Sequence, residues 1–281
     1  MAQEEMVMAE FHVLAGAHET EEAPVVHDIG VQDLKEALAR GYDDFKEMPT
    51  HLAFLGLIYP LFGAGLAAIT FTNNALPLLF PLVSGFALIG PFAAVGLYEL
   101  SRRRELGLDT SWVHLFDVLR SPSLPSILAL ALALMVIFIA WLATAQALYE
   151  WLYGPMPPES YSAFLYEVLT TSRGWTLIIL GHLIGFVFAA LVFSTSVVSF
   201  PMLLDRDCGA ASAVQTSIRA VLRNPKTMTL WALILAALVM VGSLPLLVGL
   251  AVVMPILGHA SWHLYRRVVE PPHPHEAHPV A

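Results

Sequence analysis

One cysteine, few charges and an N-terminal stretch without a lysine or arginine set the first limits on this chain. Cys208 is alone among 281 residues, which excludes an intrachain disulfide, a Cys-based zinc site and a cysteine-ligated iron–sulfur cluster. Charged residues make up 13% of the chain, where a soluble domain carries about 25%. Residues 1–30 hold seven acids and no basic residue. That is the opposite of the basic start of a cleavable signal peptide, and it reads as a disordered acidic tail. The tail carries most of the net charge of −9, so the total says little about the remainder. GxGxxG, GxxxxGK[ST], HExxH and GxSxG are all missing, and the basic residues form no stripe suited to nucleic acid.

What the chain has is apolar sequence, 57% of it hydrophobic. Runs long enough to cross a bilayer, about 20 residues each, recur along it. Hydropathy gives six spans, at 52–70, 76–97, 127–148, 176–198, 228–246 and 247–265. A single helix over 228–265 would be about 57 Å long, nearly twice the hydrocarbon thickness, so the last two form a hairpin. With six spans, thirteen of the fourteen Lys and Arg fall on one side and only Arg173 on the other. The basic side is cytoplasmic, which places both termini inside, as in a multi-pass protein of a bacterial inner membrane.

The segments between spans carry a repeated unit. FKEMP (45–49), VLRSP (118–122) and VLRNP (221–225) precede spans one, three and five. Upstream of each lies an amphipathic stripe: Val31, Leu34, Leu38, Tyr42 and Phe45; Trp112, Leu115, Phe116 and Leu119; Val214, Ile218, Val221 and Leu222. Proline stops each helix and turns the chain toward the membrane. The ends of spans two and six also match, residues 81–103 aligning with 245–267 at a constant offset of 164. Pro91 pairs with Pro255 in mid-span, and Arg102-Arg103 with Arg266-Arg267. The expected fold is all-α: three units of amphipathic helix, proline turn and transmembrane hairpin over 31–269, with tails at 1–30 and 270–281.

Three blocks, FPLVSGFALIGPFAAVGLYELSRRRELG (80–107), DRDCGAASAVQTSIRAVLRNPKTMTLWA (205–232) and MPILGHASWHLYRRVV (254–269), resemble the signature blocks of domain-of-unknown-function family 2189. These are bacterial predicted integral membrane proteins, and the resemblance spans roughly residues 30–270. It implies a membrane domain without an assigned activity. Some members are catalogued as cytochrome c oxidases, which would imply haem, copper and electron transfer.

The histidines test that implication. His182 lies about six residues, about 9 Å, inside the outer end of span four, and His259 about as far from the inner end of span six. They occupy opposite leaflets and cannot flank one haem iron, which argues against a catalytic oxidase subunit. His259 and His263 share a helical face at i,i+4, and His51 lies near the same boundary, so these three are the candidate metal ligands. Against a metal, Trp262, Tyr265 and the twin arginines are the furniture of an interfacial helix end. The tail HPHEAH (273–278) has the composition of a weak metal-binding segment or of simple disorder.

His182, between Gly181 and Gly185, and Glu99, aligned with His263, are the candidate intramembrane polar groups; Pro91 and Pro255 are the candidate hinges. The expectation is a non-enzymatic membrane protein needing no cofactor, in contact with the bilayer and serving as a structural, assembly or accessory partner of another membrane complex. A respiratory oxidase is named as that complex by the family resemblance alone. The alternatives are a transporter or channel and a haem- or metal-binding redox protein.

Overall fold

The computed structural model of the chain describes residues 24–48, 81, 90–158, 160–244 and 249–271. Among these the ordered elements are helices: α1 (Val31–Glu47), α2 (Val95–Glu105), a 3-10 helix (Trp112–Arg120), α3 (Leu124–Tyr153), α4 (Tyr161–Thr170), α5 (Ser172–Ser196), α6 (Ser199–Asp205), α7 (Gly209–Arg223), α8 (Pro225–Ser243) and α9 (Leu250–Val268). A one-turn helix, Gly90–Ala93, precedes α2. The chain divides into two units, one of residues 1–56, 91–131 and 193–281, the other of residues 57–90 and 132–192.

Three stretches among the described residues are long and apolar enough to cross a membrane: Leu124–Tyr153, Ser172–Asp205 and Pro225–Ser243, with mean hydropathies of 2.7, 2.5 and 1.7. They correspond to predicted spans three, four and five. Span one, at 52–70, and most of span two lie outside the described residues. Span six is a helix, α9, but falls short of that apolarity because its second half carries His259, His263, Arg266 and Arg267. The expected break between the last two spans is present. Gly242 and Gly249 touch where α8 meets α9, and a Cβ built on Gly249 would lie 2.6 Å from the Gly242 carbonyl oxygen.

In the first unit the three amphipathic segments bury an unexpected face. α1 packs Leu34, Ala37, Gly41 and Asp44 inward and leaves Val31 and Tyr42 about half exposed. α7 buries Gly209, Ala210, Ala213, Thr216, Ser217 and Ala220, while Leu222 of its apolar stripe is 73% exposed. Small side chains let each helix approach its neighbour closely; of the predicted stripes Leu34 is buried, while Val31, Tyr42 and Leu222 face outward. The middle segment is a 3-10 helix rather than an α-helix. Only nine residues separate extended Ser111 from extended Ser121, and three residues per turn bring His114 over Asp117. The proline turns are as expected at two sites: Ser121 is extended before Pro122, and Pro225 opens α8, where its missing N–H costs nothing.

Residues 24–30, the end of the predicted acidic tail, form an extended strap. Val26 bridges Val269, and the Asn224 side chain accepts from Ile29 N at 2.9 Å and donates to the His27 carbonyl at 3.0 Å. Thr227 Oγ1 donates to the Ile29 carbonyl, and Arg223 holds Asp28 through two bonds of 2.7 and 3.0 Å.

In the second unit α3 and α5 meet where Gly185 accommodates the Trp141 ring, which also packs at a tilt against Phe188 with centroids 5.6 Å apart. Trp141 Nε1 donates to the Pro81 carbonyl at 2.9 Å. At the far end of α3, Tyr149 stacks on Tyr153 and both take Phe164 of α4 edge-on. Ser160 caps α4 by accepting from Ala163 N.

The tightest crossing in the first unit is α1 on α9. A Cβ on Gly41 would sit 2.5 Å from Ala260 N and 2.7 Å from its Cα, both backbone atoms that cannot yield. Gly41→Val is expected to destabilise the fold by about 1–3 kcal/mol of overpacking. Thermal unfolding in detergent measures it, and the amide protection of α1 should fall furthest.

Candidate functional site

The polar chemistry of the described residues concentrates where three helix ends converge. α2, α6 and the second half of α9 pack on one another, and each also packs on one amphipathic element: α2 on the 3-10 helix, α6 on α7, α9 on α1. Leu97, Phe200, Leu203, Trp262 and Tyr265 fill the space between them almost free of solvent.

Two carboxylates organise this region. Asp205, at the end of α6, accepts from Tyr265 Oη at 2.7 Å and from Arg266 Nη1 at 3.1 Å, with Arg102 Nε at 4.0 Å. The two arginines stand 164 residues apart in the sequence. Nearby, Trp262 Nε1 donates to Glu105, which also receives Arg266. Asp44, on the buried stripe of α1, accepts from Ser101 Oγ at 2.5 Å and Arg104 Nη1 at 2.7 Å, and bonds His263 Nε2 at 2.9 Å. His259 Nδ1 is 2.8 Å from Ser101 Oγ and 3.9 Å from Asp44.

The second arginine of each pair clasps an amphipathic element. Arg103 reaches Asp117 of the 3-10 helix at 3.2 Å and donates to the Asp109 carbonyl. Arg267 reaches Glu36 and Asp33 of α1. Glu99 lies between Arg102 and Arg103, 3.3 and 3.9 Å from them.

Burial pulls the Asp44 and Glu99 carboxyls toward neutrality, but their partners differ. At Asp44, hydrogen bonds from His263 and Ser101 and the charges of His263 and His259 overcome burial and hold the carboxyl below its usual range. At Glu99 burial wins over Arg102 and Arg103, and the carboxyl rises.

A serine, a histidine and an aspartate in contact invite a nucleophilic reading, but the order is wrong for it. In a nucleophile–base pair the aspartate orients the histidine; here Ser101 sits between the two and donates to the carboxylate. Ser101 and His259 are also 1% and 0% exposed. The arrangement clamps α1, α2 and α9 together.

The candidate residues from sequence are placed as follows. His259 and His263 both turn toward the Asp44–Ser101 pair. His51 lies outside the described residues, and no group of three or more His, Cys, Asp or Glu is arranged around a common metal position among the described ones. Glu99, a candidate intramembrane polar group, pairs with Arg102 at i,i+3 on its own helix. His182 is exposed, its Nδ1 bonded to the Ile178 carbonyl of its own helix at 2.7 Å. Pro255 is inside α9, whereas Pro91 lies in the first turn of the helix Gly90–Ala93, so the repeat-matched prolines differ in setting. Asp44, Ser101 and Asp205 were not singled out from sequence. An aspartate at the end of the stripe Leu34-Ala37-Gly41-Asp44 was the available signal.

Helices of spanning length joined to a lobe of paired charges define an integral membrane protein of helical class. More narrowly, residues 78–205 match the family described as predicted integral membrane protein (DUF2189), which bears out the resemblance seen in the sequence. The first signature block, 80–107, lies wholly within the matched region, the block at 205–232 shares only residue 205 with it, and the block at 254–269 lies outside it. No curated protein and no solved structure matches the chain.

The two carboxylates act on stability with opposite sign. Asp44 contributes stability that is complete above its ordinary pKa of 3.8 and is lost as pH falls through its lower folded value. Glu99 favours the fold in acid, a contribution lost as pH rises through its raised folded value. At pH 7, Asp44→Asn should therefore destabilise, by about 1–3 kcal/mol for the donors it leaves unmet. Glu99→Gln should be neutral or stabilising. Equal losses in thermal unfolding of the two variants would contradict this assignment.

Proposed function

We infer that the protein is a non-catalytic integral membrane scaffold that supports or helps to assemble another membrane complex. The observation that carries the reading is the use of the ionisable groups in the polar lobe. Asp44, Asp205 and Glu99 are all taken up by arginine, serine, tyrosine or histidine of the same chain, as a structural lobe requires. The spanning helices meanwhile present wide apolar faces, the α5 window being only 6% buried. Faces of that kind suit lipid or the helices of a partner.

The reading includes six spans in three repeated units, with both ends on the cytoplasmic side of a bacterial inner membrane. Its support is threefold: the identities at an offset of 164, the pairing of each helix end with one amphipathic element, and the shared use of Asp205 by Arg102 and Arg266. The basic residues supply the orientation.

Purification from native membranes in mild detergent, with mass spectrometry and an absorption spectrum of the same sample, tests the function. The expected result is a stoichiometric membrane-protein partner and no Soret band. A colourless single species that moves solute when reconstituted alone would overturn it in favour of transport, and a Soret band in favour of a redox protein. For orientation, a membrane-impermeant maleimide should label cysteines placed at either end only from the cytoplasmic side.

A further inference from the structure

We propose that the outward stripes of the 3-10 helix and α7 form a lipid-docking collar, with their bulky apolar side chains among the acyl chains and adjacent arginine and lysine on anionic headgroups. The two elements share an inverted build. On α7 the inner stripe is small and polar, Ala213, Thr216, Ser217 and Ala220, while Leu222 points outward and Val214, Ile218 and Val221 lie partly buried beside it. On the 3-10 helix only Val118 is buried, and Trp112, Phe116 and Leu119 are each more than half exposed. Trp112 and Phe116 lean on each other edge-on, 6.5 Å apart, so the pair stands out from the protein as one apolar body.

Bulky apolar side chains facing water would be a standing cost of about 25 cal/mol per Å². Such a face on a helix that is otherwise polar marks an element lying in the plane of a membrane interface. The position of both elements says which surface covers them. The 3-10 helix ends at Arg120 and the span α3 begins at Leu124; α7 ends at Arg223 and the span α8 begins at Pro225. The exposed surface then continues along the spans, through Leu128 and Leu132 on α3 and Leu233 on α8. A collar so close to the point of entry lies at the depth where acyl chain gives way to headgroup. Charge agrees with this. Arg120, its side chain 81% exposed, follows the first stripe directly, and exposed Lys226 follows the second. Cations at that depth meet the phosphates of an anionic leaflet.

The lone cysteine makes the test direct. With Cys208 replaced by alanine, single cysteines are placed at Leu119, Ile218 and Leu222 and spin-labelled. Leu233→Cys serves as the bilayer reference and Arg40→Cys, on a polar side of α1, as the water reference. The full chain is reconstituted in vesicles of phosphatidylcholine and phosphatidylglycerol, and collisions with oxygen and with a water-soluble nickel chelate are compared. The expected pattern is oxygen-dominated access at Leu119, Ile218 and Leu222, as at Leu233. Nickel access equal to that at Arg40 would overturn the proposal, as would shielding from both reagents, which would mean a protein partner covers the stripes. A second arm tests the cations. Phosphatidylglycerol should raise the unfolding temperature of the protein over phosphatidylcholine alone, and the Arg120→Gln/Lys226→Gln double variant should lose most of that rise. An unchanged rise would overturn the headgroup contact.

Discussion

At Gly41 the backbone of α1 lies against that of α9 with no room for a side chain between them. That approach fixes much of the first unit. One turn further on it brings the Asp44 carboxylate within reach of Ser101, Arg104 and His263, donors from two other helices. A second small residue repeats the device, since a Cβ on Gly258 would collide with the Leu97 side chain of α2. Glycines at the crossings and a carboxylate at the junction thus depend on each other. Without the close approach Asp44 would be a buried charge without partners, and such a charge is expensive.

The same logic accounts for the distribution of charge. A chain that spends so much of its length on apolar helices has few ionisable groups to place. Those near the helix ends are spent in pairs that hold one element to another: Arg103 to Asp117, Arg267 to Glu36, Arg223 to Asp28. The exposed pairs add little stability by themselves. The buried ones supply register instead, because each arginine finds its carboxylate in only one docking of its helix.

Much of this was legible in the sequence. Three spans, the proline turns before α3 and α8 and the break between α8 and α9 all follow from hydropathy and proline chemistry. The candidate site was less legible. On an amphipathic helix a charged residue is naturally assigned to solvent, so Asp44 drew no notice, although its neighbours on the stripe are small rather than polar. Ser101 and Asp205 carry no local signal at all, and their importance comes from partners far along the chain. The strap at 24–30 was hidden by the composition of the segment before it, and Asn224, between an arginine and a proline, resembles an ordinary turn residue.

The strap has a consequence for assembly. Its bonds to Asn224 span 195 residues, and the Asp44–His263 bond spans 219. The close docking of α1 on α9 therefore cannot form until α9 exists. During synthesis α1 must wait at the membrane with its Asp44 still hydrated, while the spans between are inserted. Closure over such separations is slow and comes late, after the intervening helices have shortened the effective loop. The first unit is in this sense a clasp that locks only once α9 has been made, and a chain truncated before α9 would leave α1 without its most extensive neighbour.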